Sequence, residues 1–131
     1  MNRILVLLIS LILSSAGLFA RDNDAMSFET KEFDFGTISR NHEPVSHEFV
    51  FVNSGETPLT VVSASAACGC TKPKYTPEPV LPGKSGSIKV KFYPKGQKGY
   101  VSKKITVRYR TADSGKTRKV ILKLTGNVLP E

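Results

Sequence analysis

The chain has 131 residues, a formal net charge of +8, two cysteines and no tryptophan. This length suits a single domain. Two cysteines cannot complete a structural zinc site, which needs four ligands. The absence of tryptophan excludes an antibody-type immunoglobulin domain, in which a buried tryptophan packs against the disulfide.

The first predicted element is a secretory signal peptide over residues 1–20. Arg3 precedes an almost unbroken apolar run, residues 4–13, and small residues follow the run. A charged start, a short apolar run and a small-residue zone are typical of such a signal, whereas a membrane span needs about 20 apolar residues. We expect cleavage after Ala20, which leaves residues 21–131 as one domain without a transmembrane span. An uncleaved N-terminal anchor is the alternative.

The predicted signal places the mature protein in the periplasm or outside the cell. DNA and RNA are therefore not expected as partners, and an oxidising compartment favours a disulfide between the two cysteines. The charge of the mature chain is uneven. Residues 21–67 carry 3 basic and 8 acidic side chains, whereas residues 68–131 carry 15 basic and 3 acidic ones.

Apolar and polar residues alternate through most of the mature chain, and alternation with a period of two predicts strands that bury one face. After a loose segment over residues 21–26, strands are predicted over residues 27–38 with a bend at Gly36, 45–51, 59–65, 88–92, 105–110 and 120–126. Four prolines within residues 72–84 predict a long loop there. About seven short strands without a helical period predict an all-β fold, an antiparallel β-sandwich, with a small barrel as the alternative.

Several segments resemble the DUF1573 family, which comprises exported bacterial proteins of unassigned function. The segments that carry the resemblance are, in chain order, 34–38 (DFGTI), 49–55 (FVFVNSG), Leu59, 68–71 (CGCT), 82–83 (PG), 88–92 (IKVKF) and 95–96 (KG). They extend over nearly all of the mature chain. The resemblance implies an immunoglobulin-like sandwich, similar to domains of cilia- and spindle-associated proteins and of major sperm protein. It implies no reaction, and it identifies Cys68 and Cys70 only as a family signature.

Three roles are open for Cys68 and Cys70, which only Gly69 separates. They could form a structural turn, a thiol redox pair, or two ligands for Cu(I), which prefers soft sulfur donors. A disulfide between them requires a turn, because extended residues two apart lie about 7 Å apart. We assign no metal to the pair and expect no cofactor.

The sequence contains no visible catalytic arrangement of serine, cysteine, histidine and carboxylate side chains. His42 and His47 both lie in the acidic half, and His47 falls on an apolar strand face. The sequence therefore favours a binding or structural module over an enzyme, and we assign no catalytic residue. The alternative is a general base that meets Cys70 in the folded protein.

A basic face is the main candidate binding surface. If the last three predicted strands are neighbours, their outward side chains form one positive face, which comprises Lys89, Lys91, Lys104, Arg108, Arg110 and Lys123. A clustered positive face attracts anionic polymers, so an anionic cell-envelope polymer or another envelope protein could be the partner, which the sequence does not name. The interpretation we favour is that these lysines keep the sheets soluble and protect sheet edges. The function predicted from the sequence is an exported, immunoglobulin-like binding or structural module.

Overall fold

Eight β-strands form two four-stranded sheets in the computed structural model, which describes residues 24–130. The strands are β1 (Met26–Phe28), β2 (Glu32–Ser39), β3 (Val45–Asn53), β4 (Leu59–Ala66), β5 (Thr71–Tyr75), β6 (Ser85–Phe92), β7 (Gly99–Thr111) and β8 (Arg118–Leu129). The first sheet has the order β1-β3-β6-β5, and the second has the order β2-β8-β7-β4. The predicted signal peptide lies outside the described residues. Within residues 24–130, no helix is long and apolar enough to cross a membrane.

The core lies between the two sheets and is built from alternate residues of each strand. The largest fully buried side chains are Met26, Phe49, Phe51, Leu59, Ile88, Val90, Phe92, Ile105, Val107, Tyr109, Leu122 and Leu124. Except for Met26, these residues occupy the apolar positions of the alternating pattern, so the period of two in the sequence corresponds to the inward face of each strand. The predicted all-β sandwich is confirmed, and the barrel alternative is wrong because the strands divide into two sheets.

Strand β2 joins the second sheet in a way that the sequence pattern did not predict. It pairs with β8 in parallel, whereas the other strand pairs are antiparallel. The predicted bend at Gly36 is a bulge in this pairing, where the Gly36 amide donates to Asp34 Oδ1 at 2.8 Å. The Phe35 ring packs on Gly126 and stacks on Phe92 of the first sheet with ring centroids 5.1 Å apart. The strand β8 continues beyond Gly126 to Leu129, so this glycine does not close the strand as predicted. Its missing Cβ leaves room for the Phe35 ring.

Two further predictions about local structure are wrong. Met26 was placed in a loose segment, but it is buried and pairs with Asn53 in β1. The predicted loop over residues 72–84 contains strand β5, in which Pro73 lies opposite Val90. Proline has no amide hydrogen to donate, so it is tolerated in a strand at the edge of a sheet, and β5 is such a strand.

Candidate functional site: a lysine-lined groove

The six basic residues predicted to share one face lie on two opposite faces of the sandwich. Strand β6 belongs to the first sheet, so Lys89 and Lys91 project from that sheet. The other four lie in β7 and β8 of the second sheet: Lys104, Arg108, Arg110 and Lys123. The prediction of one continuous basic face is therefore wrong, because the strands adjacent in sequence are not all adjacent in space.

Strand β5 adds two lysines that the sequence analysis missed. Lys72 lies directly opposite Lys91, and Lys74 lies directly opposite Lys89. All four side chains are exposed. The alternation of Lys72 and Lys74 around Pro73 could have indicated a short strand, but the surrounding prolines favoured a loop. Lys72, Lys74, Lys89 and Lys91 define what we call the lysine groove.

The outer surface around these lysines is concave. The hollow has a volume of about 610 Å³, and Ser46, Glu48 and Tyr93 line it together with the four lysines. Among the described residues that line it, Glu48 is the one carboxylate, and it lies opposite Lys89 across the β3–β6 pairing. None of the four lysines forms an ion pair with a carboxylate of residues 24–130. The described lining of the groove therefore has an excess of positive charge, with four lysines and the one carboxylate of Glu48.

Tyr93 holds two of these lysines at one end of the groove. The Lys72 Nζ atom lies 5.1 Å from the centre of the Tyr93 ring, and the Lys91 Nζ atom lies 5.7 Å from it. An aromatic face attracts ammonium groups at such distances. The Tyr93 amide donates to the Cys70 carbonyl oxygen at 2.8 Å, which fixes the ring-bearing residue to the start of β5.

Direct lysine–lysine pairs have an energetic cost. Like charges opposite each other on adjacent strands destabilise a sheet, and a cross-strand pair contributes roughly 0.2–1 kcal/mol in either direction. Two such pairs stand side by side in the lysine groove. An anion that lies between them would remove this repulsion, so the arrangement is suited to binding negative charge.

The two cysteines form a disulfide at the turn that leads into β5. Their Cα atoms lie 5.2 Å apart, so the chain turns between them as the bridge requires. The Cys70 amide donates to Cys68 Sγ at 3.2 Å, and the Thr71 amide donates to the Cys68 carbonyl oxygen at 3.2 Å. Residues 24–130 contain no group of three or more His, Cys, Asp or Glu side chains that could hold a metal ion. The Cu(I) interpretation remains a prediction that rests on two sulfur atoms.

Comparison with known families identifies the chain. The model of the DUF1573 family, described as a protein of unknown function, matches residues 26–128. The chain belongs to the DUF1573 family. No curated protein sequence matches it.

Solved structures share the fold of this DUF1573 domain at low sequence identity. The Vibrio cholerae VesB protease has a TM-score of 0.64 and 14% identity over 79% of this chain and 32% of that one. A PapD-like domain of human CEP192 has a TM-score of 0.63 and 12% identity over 82% of this chain and 87% of that domain. The YadV chaperone has a TM-score of 0.57 and 12% identity over 82% of this chain and 52% of the chaperone chain. The chain spans about a third of the VesB structure and about half of the YadV structure. These likenesses confirm the immunoglobulin-like fold alone.

The outer face of the second sheet in this DUF1573 domain is also basic. We call it the second-sheet face and define it by Lys104, Arg108, Arg110, Lys119 and Lys123. Lys104 lies opposite Lys123, and Lys123 Nζ lies 3.5 Å from Glu32 Oε1. Arg110 Nε donates to Thr117 Oγ1 at 2.9 Å. Unlike the lysine groove, this face therefore has an ion pair between one of its lysines and a carboxylate of residues 24–130.

The two histidines of the DUF1573 domain lie in different surroundings. His47 stacks on Phe33 with ring centroids 3.8 Å apart and meets the edge of Phe49 at 4.6 Å. Burial lowers the pKa of His47 from 6.5, and the neighbouring Glu48 charge raises it by a smaller amount. His42 is exposed, and its Nδ1 lies 2.6 Å from the Glu43 carbonyl oxygen. The packing of His47 agrees with its predicted position on an apolar face.

Proposed function

We propose that this protein is an exported binding module that holds an anionic polymer of the cell envelope in its lysine groove. The observation that carries the proposal is the two pairs of lysines that lie opposite each other on β5 and β6 and form no ion pair with a carboxylate of residues 24–130. Export itself is part of the proposal and rests on the signal sequence predicted over residues 1–20.

The spacing of the four charges supports a polymer as the ligand. Neighbouring strands lie about 4.8 Å apart, and side chains on one face repeat about every 6.6–6.8 Å along a strand. The four lysines of the groove thus occupy a two-by-two arrangement on neighbouring strands. A chain of phosphate, sulfate or carboxylate groups can meet several of them at once, whereas a single small anion meets fewer. Contacts of this kind are expected to weaken as salt screens them.

The proposal can be tested with residues 21–131 and three immobilised polyanions. Dextran sulfate and polyphosphate represent sulfate and phosphate polymers, and poly-L-glutamate represents the carboxylates of an acidic protein partner. We expect salt-sensitive binding to at least one sulfate or phosphate polymer. Changing all four groove lysines to glutamine should abolish it, because their positive charges are removed.

A matched variant distinguishes binding in the lysine groove from attraction of the polymer by the net positive charge of the protein. Changing four basic residues of the second-sheet face to glutamine removes the same number of charges: Lys104, Arg108, Arg110 and Lys119. We expect this variant to bind within about threefold of the wild type, because distant exposed charges are largely screened at physiological salt. Equal losses in the two variants would show attraction by net charge and contradict the groove. Binding to poly-L-glutamate and to neither of the other polymers would contradict a sulfate or phosphate polymer and indicate an acidic protein as the ligand.

A further inference from the structure

We propose that the Cys68–Cys70 disulfide is a thiol–disulfide exchange site, at which the thiolate of a dithiol protein attacks Cys68 Sγ. This activity is separate from the proposed binding of anionic polymers. It gives the cysteine pair a chemical role that the groove does not use.

The first argument is that the turn does not depend on the bridge. A disulfide restricts the unfolded chain less when the loop it closes is shorter, and this loop is among the shortest that a disulfide can close. The turn has its own backbone contacts, the Thr71 amide to the Cys68 oxygen and the Tyr93 amide to the Cys70 oxygen. Opening the bridge would leave both contacts in place and keep the two sulfur atoms close enough to join again.

The second argument is that the two sulfur atoms have different surroundings. Cys70 packs against the hydrophobic core, and its Sγ lies 3.6 Å from the hydroxyl oxygen of Thr71, a buried residue. Cys68 lines a cleft of about 360 Å³ together with Ser102, Lys103 and Lys104, and Cys70 does not line it. Both cysteines are half-buried, so the cleft and not the overall exposure favours attack by an incoming thiol at Cys68.

The third argument is electrostatic. Thiolates are the reactive form in exchange, and neighbouring lysines stabilise them. Lys103 and Lys104 line the same cleft as Cys68, and the described lining has no carboxylate, so a thiolate that enters the cleft meets a positive field. The cleft is thus positive where the attacking group is negative.

The reaction follows from these positions. The lone pair of the attacking thiolate forms a bond to Cys68 Sγ, the Cys68–Cys70 bond breaks, and its electron pair leaves on Cys70 Sγ. The Thr71 hydroxyl can donate a hydrogen bond to this leaving thiolate, which then takes a proton from water. The second thiol of the partner attacks its own mixed-disulfide sulfur and releases Cys68 as a thiolate. The bridge has then gained two electrons, and the partner dithiol has become a disulfide.

The attacked sulfur can be identified with glutathione, a monothiol that has no second thiol of its own to resolve the mixed disulfide, if the reaction is quenched early. Folded protein is incubated with glutathione, quenched with acid, alkylated with N-ethylmaleimide and analysed by mass spectrometry. We expect glutathione on Cys68 and the alkyl group on Cys70. Glutathione on Cys70 would overturn the assignment. A bridge that opens with dithiothreitol only after unfolding in guanidinium would overturn the exchange site itself.

The role of the cleft can be tested by the rate of opening. A variant with both Lys103→Gln and Lys104→Gln should open about fivefold more slowly with glutathione, because two positive charges are removed from the path of an anion. The matched control carries Arg108→Gln and Lys119→Gln, which lie opposite each other on the same sheet and outside the cleft, and should open at the wild-type rate. Circular dichroism checks that each variant is folded. Equal rates in all three proteins would overturn the role of the cleft.

Discussion

The two outer faces of the sandwich carry similar charges in different settings. Both contain lysines that face each other directly across neighbouring strands, Lys72 and Lys91 in the first sheet and Lys104 and Lys123 in the second. In the second sheet, Glu32 on the adjacent strand forms an ion pair with Lys123. In the first sheet, the lysines border a hollow of about 610 Å³ and no such ion pair is present within residues 24–130. The two faces therefore differ in shape and in the ion pair, although Glu48 lies opposite Lys89 in the first sheet as Glu32 lies opposite Lys123 in the second.

The two faces should differ most in stability and in polymer affinity when a single lysine is replaced by glutamate. Lys91→Glu would place a carboxylate opposite Lys72, convert a repulsive pair into an attractive one and raise the free energy of unfolding by about 0.5–1 kcal/mol. The same change should lower the affinity for the polyanion at least tenfold, which corresponds to about 1.4 kcal/mol. Urea unfolding and binding to the immobilised polymer measure the two effects.

Lys104→Glu is the control, because it changes the net charge by the same amount. The new carboxylate would face Lys123, which already pairs with Glu32, so a smaller gain in stability is expected. Polymer affinity should change by less than about twofold if distant charges are screened. A tenfold loss in both variants would remove the distinction between the two faces.

The next effect concerns the disulfide turn, which leads into the groove but not into the second-sheet face. Replacing Cys68 and Cys70 together by serine should lower the free energy of unfolding by at most about 1.5 kcal/mol, because the bridge closes a very short loop. Polymer binding should stay within about twofold of the wild type, since the backbone contacts of the turn remain. Urea denaturation measures the first result. A loss of about 3 kcal/mol or more would identify the bridge as a main brace of the fold.

A smaller effect is expected from the aromatic ring at the end of the groove. Tyr93→Leu keeps an apolar side chain but removes the ring that attracts Lys72 and Lys91. A cation–π contact at an exposed site contributes about 0.5–1 kcal/mol, so affinity for the polymer should fall about two- to fivefold. Tyr100→Leu provides the matched control, because Tyr100 is 75% exposed on the second sheet and should have no effect. Equal affinities of both variants would show that the ring does not organise the groove.

The smallest effect is a dependence of stability on pH that arises in the first sheet. The pKa of His47 is lowered by burial, so the unfolded chain binds a proton more readily than the folded one. The contribution of His47 to stability is present above its ordinary pKa of 6.5, and it is lost as the pH falls below that value through the folded pKa. His47→Phe should remove this dependence, whereas His42→Gln should retain it. Thermal unfolding between about pH 7.5 and pH 5 provides the measurement; an unchanged slope in His47→Phe would exclude His47 as its source.

Sequence patterns located most strands because burial on one face imposes a period of two. Phe49 and Phe51 of β3 and Val107 and Tyr109 of β7 alternate with exposed residues, and all four are buried. The sequence pattern did not predict β5, because the local preference of its proline for a loop is outweighed by the position of the strand at the edge of a sheet. Pro73 predicts a loop by its own chemistry, but an edge strand does not require its amide hydrogen.

The candidate site was only half predictable. Lys89 and Lys91 were identified from the alternation of β6, but Lys72 and Lys74 were not, because β5 was taken for a loop. The grouping of β6 with β7 and β8 was also wrong, since sequence order does not indicate which sheet a strand joins. The cysteine turn was recognised from Cys68 and Cys70 alone, but its cleft with Lys103 and Lys104 depends on a neighbouring strand.

The sequence by itself determined the fold class, the inward face of most strands, the need for a turn between the cysteines and the basic character of the second half of the chain. Each of these follows from residues that are close in the chain, through side-chain alternation and short-range geometry. The tertiary structure decided that β2 runs parallel to β8, that the basic residues divide between two faces, and that four lysines meet in one groove. These features depend on pairings between residues far apart in the chain, which many sequences with the same alternation could arrange differently.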